Sequence, residues 1–296
     1  MPPPNPDTPP DRRPRWLTAL LVVLALVLCG PAWVPSVRAQ DVPGASQNVA
    51  GEVQIQLDSF GVGNVARRGD WAGIRFRIMD TAARERELVV RLAVGDPDGD
   101  RPMYQRELTA NPGVWQGVWM YARLPFDFEP GQGMVFSVHE AEVGGGGEAG
   151  DTGYTAGRLL GRMIVTPNGR SVLPATEAMF TVVGGRPMGL RAYSTRASPQ
   201  DAWLPIGHEV TEVVLGVQPA DLPDRWMGLI PTSTLFWGAG DPAELRGDRA
   251  RSIREWVERG GHLVIVLPSV GQTWTNPASS DLYDILPAVV VERREG

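Results

Sequence analysis

Strict alternation of apolar and polar residues runs through the first half of the chain and constrains its fold more than any other feature. Val53, Ile55 and Leu57 alternate with polar neighbours. Because successive side chains of a strand point to opposite faces, this period predicts strands with one buried face. Six further stretches read as strands in the same region: 74–78, 88–94, 103–109, 114–122, 134–140 and 158–165. Seven strands separated by glycine, proline, asparagine and aspartate predict an all-β, immunoglobulin-like sandwich over residues 51–167, with a glycine-rich loop at 144–153.

The pattern changes after residue 167. Apolar strands are predicted at 178–183, 213–217, 235–237 and 263–267, and a short helix at 281–286 precedes a last strand at 288–291. A helix is predicted at 248–259, where Ile253, Trp256 and Val257 share one face and two glycines supply the stop. The run 263–267 is continuously apolar, which is typical of a strand buried on both faces of a parallel sheet. Strand, helix and strand with short glycine links predict a βαβ unit.

The N-terminus carries a 13-residue apolar run, 17–29, whose only polar residue is Thr18. Arginines precede it, and a V-x-A sequence ends at Ala39. These features predict a signal peptide over residues 1–39, cut between Ala39 and Gln40, and a flexible lead-in at 40–50. The alternative is an uncleaved membrane anchor, since the segment 16–34 reaches 19 residues but contains Pro31. Either way, we expect a periplasmic or envelope protein.

The composition excludes some kinds of chemistry and some partners for the mature chain. The only cysteine, Cys29, lies in the predicted signal, so the mature chain has no thiol. Removing residues 1–39 takes away four arginines and two aspartates, and the net charge falls from −6 to −8. Nucleic acid requires a basic surface, so it is not expected as a partner. The expected partners are other envelope proteins.

Residues 235–272 resemble part of a class I glutamine amidotransferase-like domain. The resemblance rests on a strand followed by Gly238-Ala239-Gly240, a helix with Trp256-Val257, and the run ERGGHLVIVLPSVGQ. Versions of this domain occur in uncharacterised bacterial envelope proteins that begin with a signal segment and a β-sandwich. The resemblance implies that residues 175–296 form a partial α/β, flavodoxin-like domain with a parallel sheet.

The departures from that family concern catalysis. A working amidotransferase has a cysteine nucleophile after the strand read here at 263–267, where the nearest hydroxyl is Ser269. It also has a later histidine, and none follows His262. We therefore expect a non-catalytic domain without a cofactor, and a chain that is part of a longer protein.

Ligands of open parallel sheets bind beyond the carboxyl ends of the strands. That rule predicts a ligand crevice, or a vestigial oxyanion site, formed by Gly184, Gly185, Arg186, Gly238, Gly240, Asp241 and Ser269. The alternative is that these glycines only form tight turns. A hydrolase that uses the crevice near Ser269 is the rival function.

Aromatic residues Trp115, Trp119 and Tyr121 share one face of a predicted strand. They suit either a sugar-stacking platform, as in a glycan-binding module, or the core of the sandwich.

Three weaker motifs are interpreted structurally. Residues 61–66 match the dinucleotide fingerprint G-x-G-x-x-A, but a strand pattern follows instead of a helix, which favours a turn. Asp96, Asp98, Asp100 and Glu107 have calcium-loop spacing, but Arg101 replaces the required glycine. His139, His208 and His262 lack metal-ligand spacing, so no metal is expected. Together these observations predict an exported, non-catalytic envelope protein with a binding or scaffolding role at the outer face of the cytoplasmic membrane.

Overall fold

The structure, a computed structural model, describes residues 45–49, 51–95, 99–143, 153–194, 210–266, 274 and 280–286. All of them lie within one compact unit, Ala39–Gly296. Several predictions lie outside these residues: the segment 1–39 and its cleavage site, most of the lead-in, the loop at 144–152, Ser269, and the strand at 288–291. Within the described residues, no helix has the length and apolar character needed to cross a membrane.

Antiparallel strands form most of the first part of the unit, and the seven predicted ones are all present. The strands are β1 Ala45–Val49, β2 Val53–Phe60, β3 Ala66–Arg67, β4 Trp71–Asp80, β5 Arg86–Val94, β6 Met103–Ala110, β7 Gln116–Arg123, β8 Met134–Val143 and β9 Tyr154–Val165. One sheet has the order β1-β9-β8-β5-β6 and the other has the order β2-β4-β7. The alternating apolar residues of both sheets form a common core, in which the rings of Phe76 and Phe136 stack with centroids 3.8 Å apart.

Parallel strands form the second part. The remaining elements are β10 Val172–Leu173, β11 Ala178–Val183, β12 Thr211–Val217, β13 Thr234–Trp237, helix α1 Asp248–Glu258 and β14 His262–Ile265. Strand β10 pairs with β3, and the other four form a parallel sheet in the order β12-β11-β13-β14. Short 3₁₀ turns lie at Leu190–Tyr193, Pro219–Asp221, Trp226–Leu229, Pro242–Glu244 and Tyr283–Ile285, the last within the predicted short helix. The described chain is thus mostly β, with antiparallel and parallel sheets and α1 as its α-helix.

Helix α1 follows its sequence pattern. Ala250, Ile253 and Trp256 are buried against the parallel sheet. At the end of the helix, Gly260 has φ +97°, its N–H donates to the carbonyl of Val257, and the next N–H donates to the carbonyl of Trp256. These two bonds form a Schellman motif, which satisfies carbonyls that the helix leaves open.

Strand β14 is not buried on both faces, contrary to the sequence prediction. It is an edge of the described sheet, and its side chains alternate between exposed and half-buried. Val264 is 40% exposed, whereas Leu263 and Ile265 pack against the core on the α1 side. An apolar sequence shows that a strand can be buried. It does not show that other elements pack on both of its faces.

The turn at 61–66 links the two cores. Val62 and Val65 pair with each other in a tight turn and pack into the core of the parallel sheet. A Cβ at Gly63 would lie 2.3 Å from the side chain of Val214 on β12. The dinucleotide-like motif is therefore a turn, as expected, and Gly63 permits a close approach between the two parts of the unit.

Candidate functional site

Of the predicted crevice residues, Gly184, Arg186 and Gly238 lie in two turns that meet at the carboxyl ends of β11 and β13, whereas Ser269 lies outside the described residues. Strand β11 lies between β12 and β13, so the direction of the sheet connections reverses there, as at the ligand-binding switch point of doubly wound folds. Gly184 has φ +88°, and a Cβ on it would lie 1.5 Å from the carbonyl oxygen of Ala239. A Cβ on Gly238 would lie 3.2 Å from the carbonyl oxygen of Arg186. The two turns are thus in direct contact.

Several polar groups of these turns already have partners. The N–H of Gly184 donates to Val217, and the N–H groups of Gly238 and Ala239 both donate to the carbonyl of Val183. The carboxylate of Asp241 accepts from the N–H of Ala243 at 2.9 Å and caps a 3₁₀ turn. Gly185, Arg186 and Gly240 are exposed. Because three of the amides donate within the sheet, they do not form an oxyanion hole.

The aromatic residues of β7 do not lie in the sandwich core. Val118, Met120 and Ala122 point into the core, so Trp119 and Tyr121 lie on the opposite face of the sheet. The rings of Trp119 and Tyr121 stack at 6.1 Å with an interplanar angle of 17°. Trp119 is only 6% exposed and Trp115 is 42% exposed. The described structure therefore does not present Trp115 and Trp119 as one open stacking platform.

Residues that lead out of β12 cover this face. The hydroxyl of Tyr121 donates to Asp224 Oδ1 at 2.6 Å and accepts from the N–H of Arg225 at 3.1 Å. Burial, together with the hydrogen bond to Asp224, raises the pKa of Tyr121 well above its usual value. Gly228 packs on the same ring, where a Cβ would lie 2.8 Å away. Tyr121 is thus one of the points where the antiparallel sheets and the parallel-sheet part join.

Beside Tyr121 lies a groove made of two adjoining cavities, which we call the junction groove. Its polar half has a volume of about 320 Å³ and its aromatic half about 380 Å³. Both halves are lined by Arg106, Arg225 and Met227; the polar half adds Asp224, Trp226, Asp248, Arg251, Ser252 and Glu255, and the aromatic half adds Trp71, Met103, Tyr104, Gln105, Trp119, Met120 and Tyr121. A concave surface with an aromatic wall and converging polar groups is typical of a binding site.

Charges of both signs line the polar half. Arg106 donates to the carbonyl of Trp119 at 3.1 Å and lies 4.0 Å from Asp224. Arg251 pairs with Asp248 at 3.0 Å. Three arginines therefore face three carboxylates, which gives no net preference for an anion.

No metal centre is found among the residues that the structure describes. His139 contacts Ser137 Oγ and the carbonyl of Gly157, and His262 is exposed on β14. Asp96 and Asp98 of the calcium-like loop lie outside the described residues. His208 also lies outside them. Glu107 accepts from the N–H of Tyr154 at 3.0 Å.

Sequence reasoning missed the junction groove. Its lining comes from β4, β6, β7, the segment 224–227 and α1, which no local spacing connects. The sequence did contain one signal for it. Tyr121 lies on a strand whose other face is apolar, and a buried tyrosine hydroxyl needs a partner from outside its own sheet.

Comparisons with known proteins identify no family. No family model matches the chain, and no curated protein matches it. Alkylpurine DNA glycosylase AlkC from Pseudomonas fluorescens, bound to DNA with an abasic site analogue, is 18% identical over 40% of this chain and 31% of its own, with a TM-score of 0.25. A β-glucosidase from Listeria innocua in complex with glucose is 12% identical over 40% of this chain and 16% of its own, with a TM-score of 0.25. The C-terminal domain of wzt is 12% identical over 45% of this chain and 85% of its own, with a TM-score of 0.27. The chain spans less than a third of the first two structures, and similarity at this level carries neither fold nor function.

Proposed function

We propose that this protein is an exported, non-catalytic protein of the cell envelope with a binding or scaffolding role at the outer face of the cytoplasmic membrane. Its residues 51–167 are an immunoglobulin-like sandwich, and residues 175–296 are a partial flavodoxin-like domain of the amidotransferase-like type. The role belongs to the junction between them.

Two observations support the proposed domains. The order β12-β11-β13-β14 corresponds to the first four strands of the flavodoxin-like order 2-1-3-4-5. The buried apolar residues also form two clusters, one between the antiparallel sheets and one between the parallel sheet and α1. Each of the two parts therefore has a core of its own, as a domain requires.

The observation that carries the binding role is the junction groove. Its walls come from both parts of the unit, and Tyr121 with Asp224 fixes them relative to each other. Walls held by packed elements suit a preformed binding site, since little ordering is needed when a ligand arrives.

Export is supported by the N-terminal sequence. An arginine-containing start, the apolar run 17–29 and the V-x-A end at Ala39 are the three parts of a secretory signal. A mature chain without cysteine is compatible with an oxidising compartment because it has no thiol to protect.

The rival hydrolase can be tested through Ser269. An activated serine reacts with a fluorophosphonate probe, whereas an ordinary serine does not. We expect no adduct on Ser269 when the intact protein is treated and analysed by peptide mass spectrometry. An adduct on Ser269 that disappears in Ser269→Ala, while that variant unfolds at the same urea concentration, would overturn the non-catalytic assignment.

A further inference from the structure

Two opposite charges in the polar half of the junction groove have no ion-pair partner within the described part of the chain. They are the side chains of Arg225 and Glu255, and both line the cavity. The other four charged residues there are paired as Arg106 with Asp224 and Arg251 with Asp248. A ligand with a carboxylate for Arg225 and a cationic group for Glu255 would complete the set.

A buried hydroxyl points to a polar ligand as well. Ser252 lines the polar half, is 1% exposed, and its Oγ has no hydrogen-bond partner among the residues that the structure describes. Buried hydroxyl groups normally have a partner, because an unpaired one loses the bonds that it made to water. Ser252 thus adds an unpaired polar atom to the wall of this half.

The aromatic half suits an apolar group on the same ligand. It adjoins the polar half through Arg106, Arg225 and Met227. Trp71 meets Tyr104 edge to face at 5.6 Å, and the volume of about 380 Å³ suits an aromatic or large aliphatic side chain. Neutral sugars carry no opposite charges, and a polyanion would meet three carboxylates.

We infer that the junction groove binds a peptide segment that carries an acidic residue, a basic residue and an aromatic or large aliphatic residue close together. This inference rests on the proposed binding role and names its ligand class. A polypeptide can combine all three groups within a few residues, because each step along an extended chain advances about 3.3 Å.

A displayed library of random octapeptides, selected on the full-length protein, tests the inference directly. We expect the bound pool to be enriched in peptides that combine opposite charges with an aromatic or large aliphatic residue. Arg225→Gln should lower the enrichment of acidic residues about tenfold, and Glu255→Gln should lower that of basic residues about tenfold, as expected for the loss of one charge-assisted bond. Glu258→Gln, an exposed change on the same helix, should leave the pool unchanged.

Three results would overturn the inference. The first is a bound pool without enrichment, and the second is an enriched pool whose peptides lack opposite charges. The third is an enrichment that persists in both Arg225→Gln and Glu255→Gln. Chitohexaose binding that is lost in Trp71→Ala, without peptide selection, would replace the peptide by a glycan and leave the proposed binding role intact. The location of the protein in the cell separately tests the proposed export.

Discussion

Asp80, at the end of β4, is a fully buried carboxylate with a matched partner. Arg86 donates from Nε and Nη2 to its two oxygens at 2.7 and 2.8 Å, and the N–H of Ala82 adds a third bond. Burial opposes the ionisation of Asp80, but the hydrogen bonds from Arg86 and Ala82 outweigh it and lower the pKa. The start of β5 is thereby tied to the end of β4.

Removal of the arginine should leave a buried charge without its partner. We expect Arg86→Met to lower the free energy of unfolding by about 3 kcal/mol, the usual cost of breaking a buried pair. Arg84→Met, an exposed change two residues away, should change it by less than about 0.5 kcal/mol. Equal urea midpoints for the two variants would contradict this account.

Glu52 gives the fold a dependence on acid pH. Hydrogen bonds from Arg158 and then Arg86 lower the pKa of Glu52 from 4.5 to about 2. A lowered folded-state pKa contributes stability that is complete above 4.5 and disappears as the pH falls toward 2. Asp80 acts in the same direction.

Substitution of Glu52 should therefore flatten the pH profile. In urea titrations between roughly pH 6 and pH 2.5, Glu52→Gln is expected to lose less stability than the parent chain does. Glu85→Gln, an exposed neighbour, should follow the parent curve. A parent-like slope for Glu52→Gln would show that this ion pair does not contribute.

At the scale of elements, the turn after β11 depends on the close approach of two backbones. Gly184 contacts Ala239 so closely that a methyl group has no room, whereas Gly189 has φ +77° and a methyl group added there would meet nothing within 4 Å. The two positions separate the cost of backbone strain from the cost of a steric clash.

We expect Gly189→Ala to cost about 1 kcal/mol, the strain of a left-handed conformation. Gly184→Ala should cost more than about 3 kcal/mol, since β11 and β13 must also move apart. Urea denaturation, or the soluble yield if Gly184→Ala does not fold, measures the difference. Similar costs at both positions would contradict the observed packing of the turns.

The sequence predicted an element well where neighbouring residues determine its position and its buried face. The alternation in 53–57 and 74–78 fixes which face of β2 and β4 is buried, and Gly260 sets the end of α1. The surroundings of an element were predicted poorly. Val264 lies in an apolar run of the sequence but on an exposed face of the sheet, and Tyr121 bonds to a segment about 100 residues away.

At the scale of the whole molecule, the antiparallel and parallel parts are joined by polar and apolar contacts. Tyr121 bonds to Asp224, Arg67 donates to the carbonyl of Glu177 at 3.1 Å, and Val62 packs into the second core. The strand patterns predicted each part but contained no information on these long-range contacts. The expectation of a ligand crevice at the strand ends follows from a topological rule and stays a prediction, whereas the junction groove depends on how the parts meet.

Tyr121→Phe tests this junction. The variant keeps the ring but leaves Asp224 and the N–H of Arg225 without the hydroxyl, so we expect a loss of about 1–3 kcal/mol in the free energy of unfolding. Tyr193→Phe, on an exposed ring, should be neutral. Urea unfolding followed by tryptophan fluorescence gives both values, and a neutral Tyr121→Phe would contradict a junction fixed by this bond.

The central claim, an exported envelope protein, is tested most directly by the mature N-terminus and location of the full-length chain expressed in a bacterium. Cell fractionation followed by N-terminal sequencing should find a chain that starts at Gln40 outside the cytoplasm, or an uncleaved chain in the membrane fraction facing the outside. A chain that starts at Met1 or Pro2 and remains in the cytosol would contradict the account.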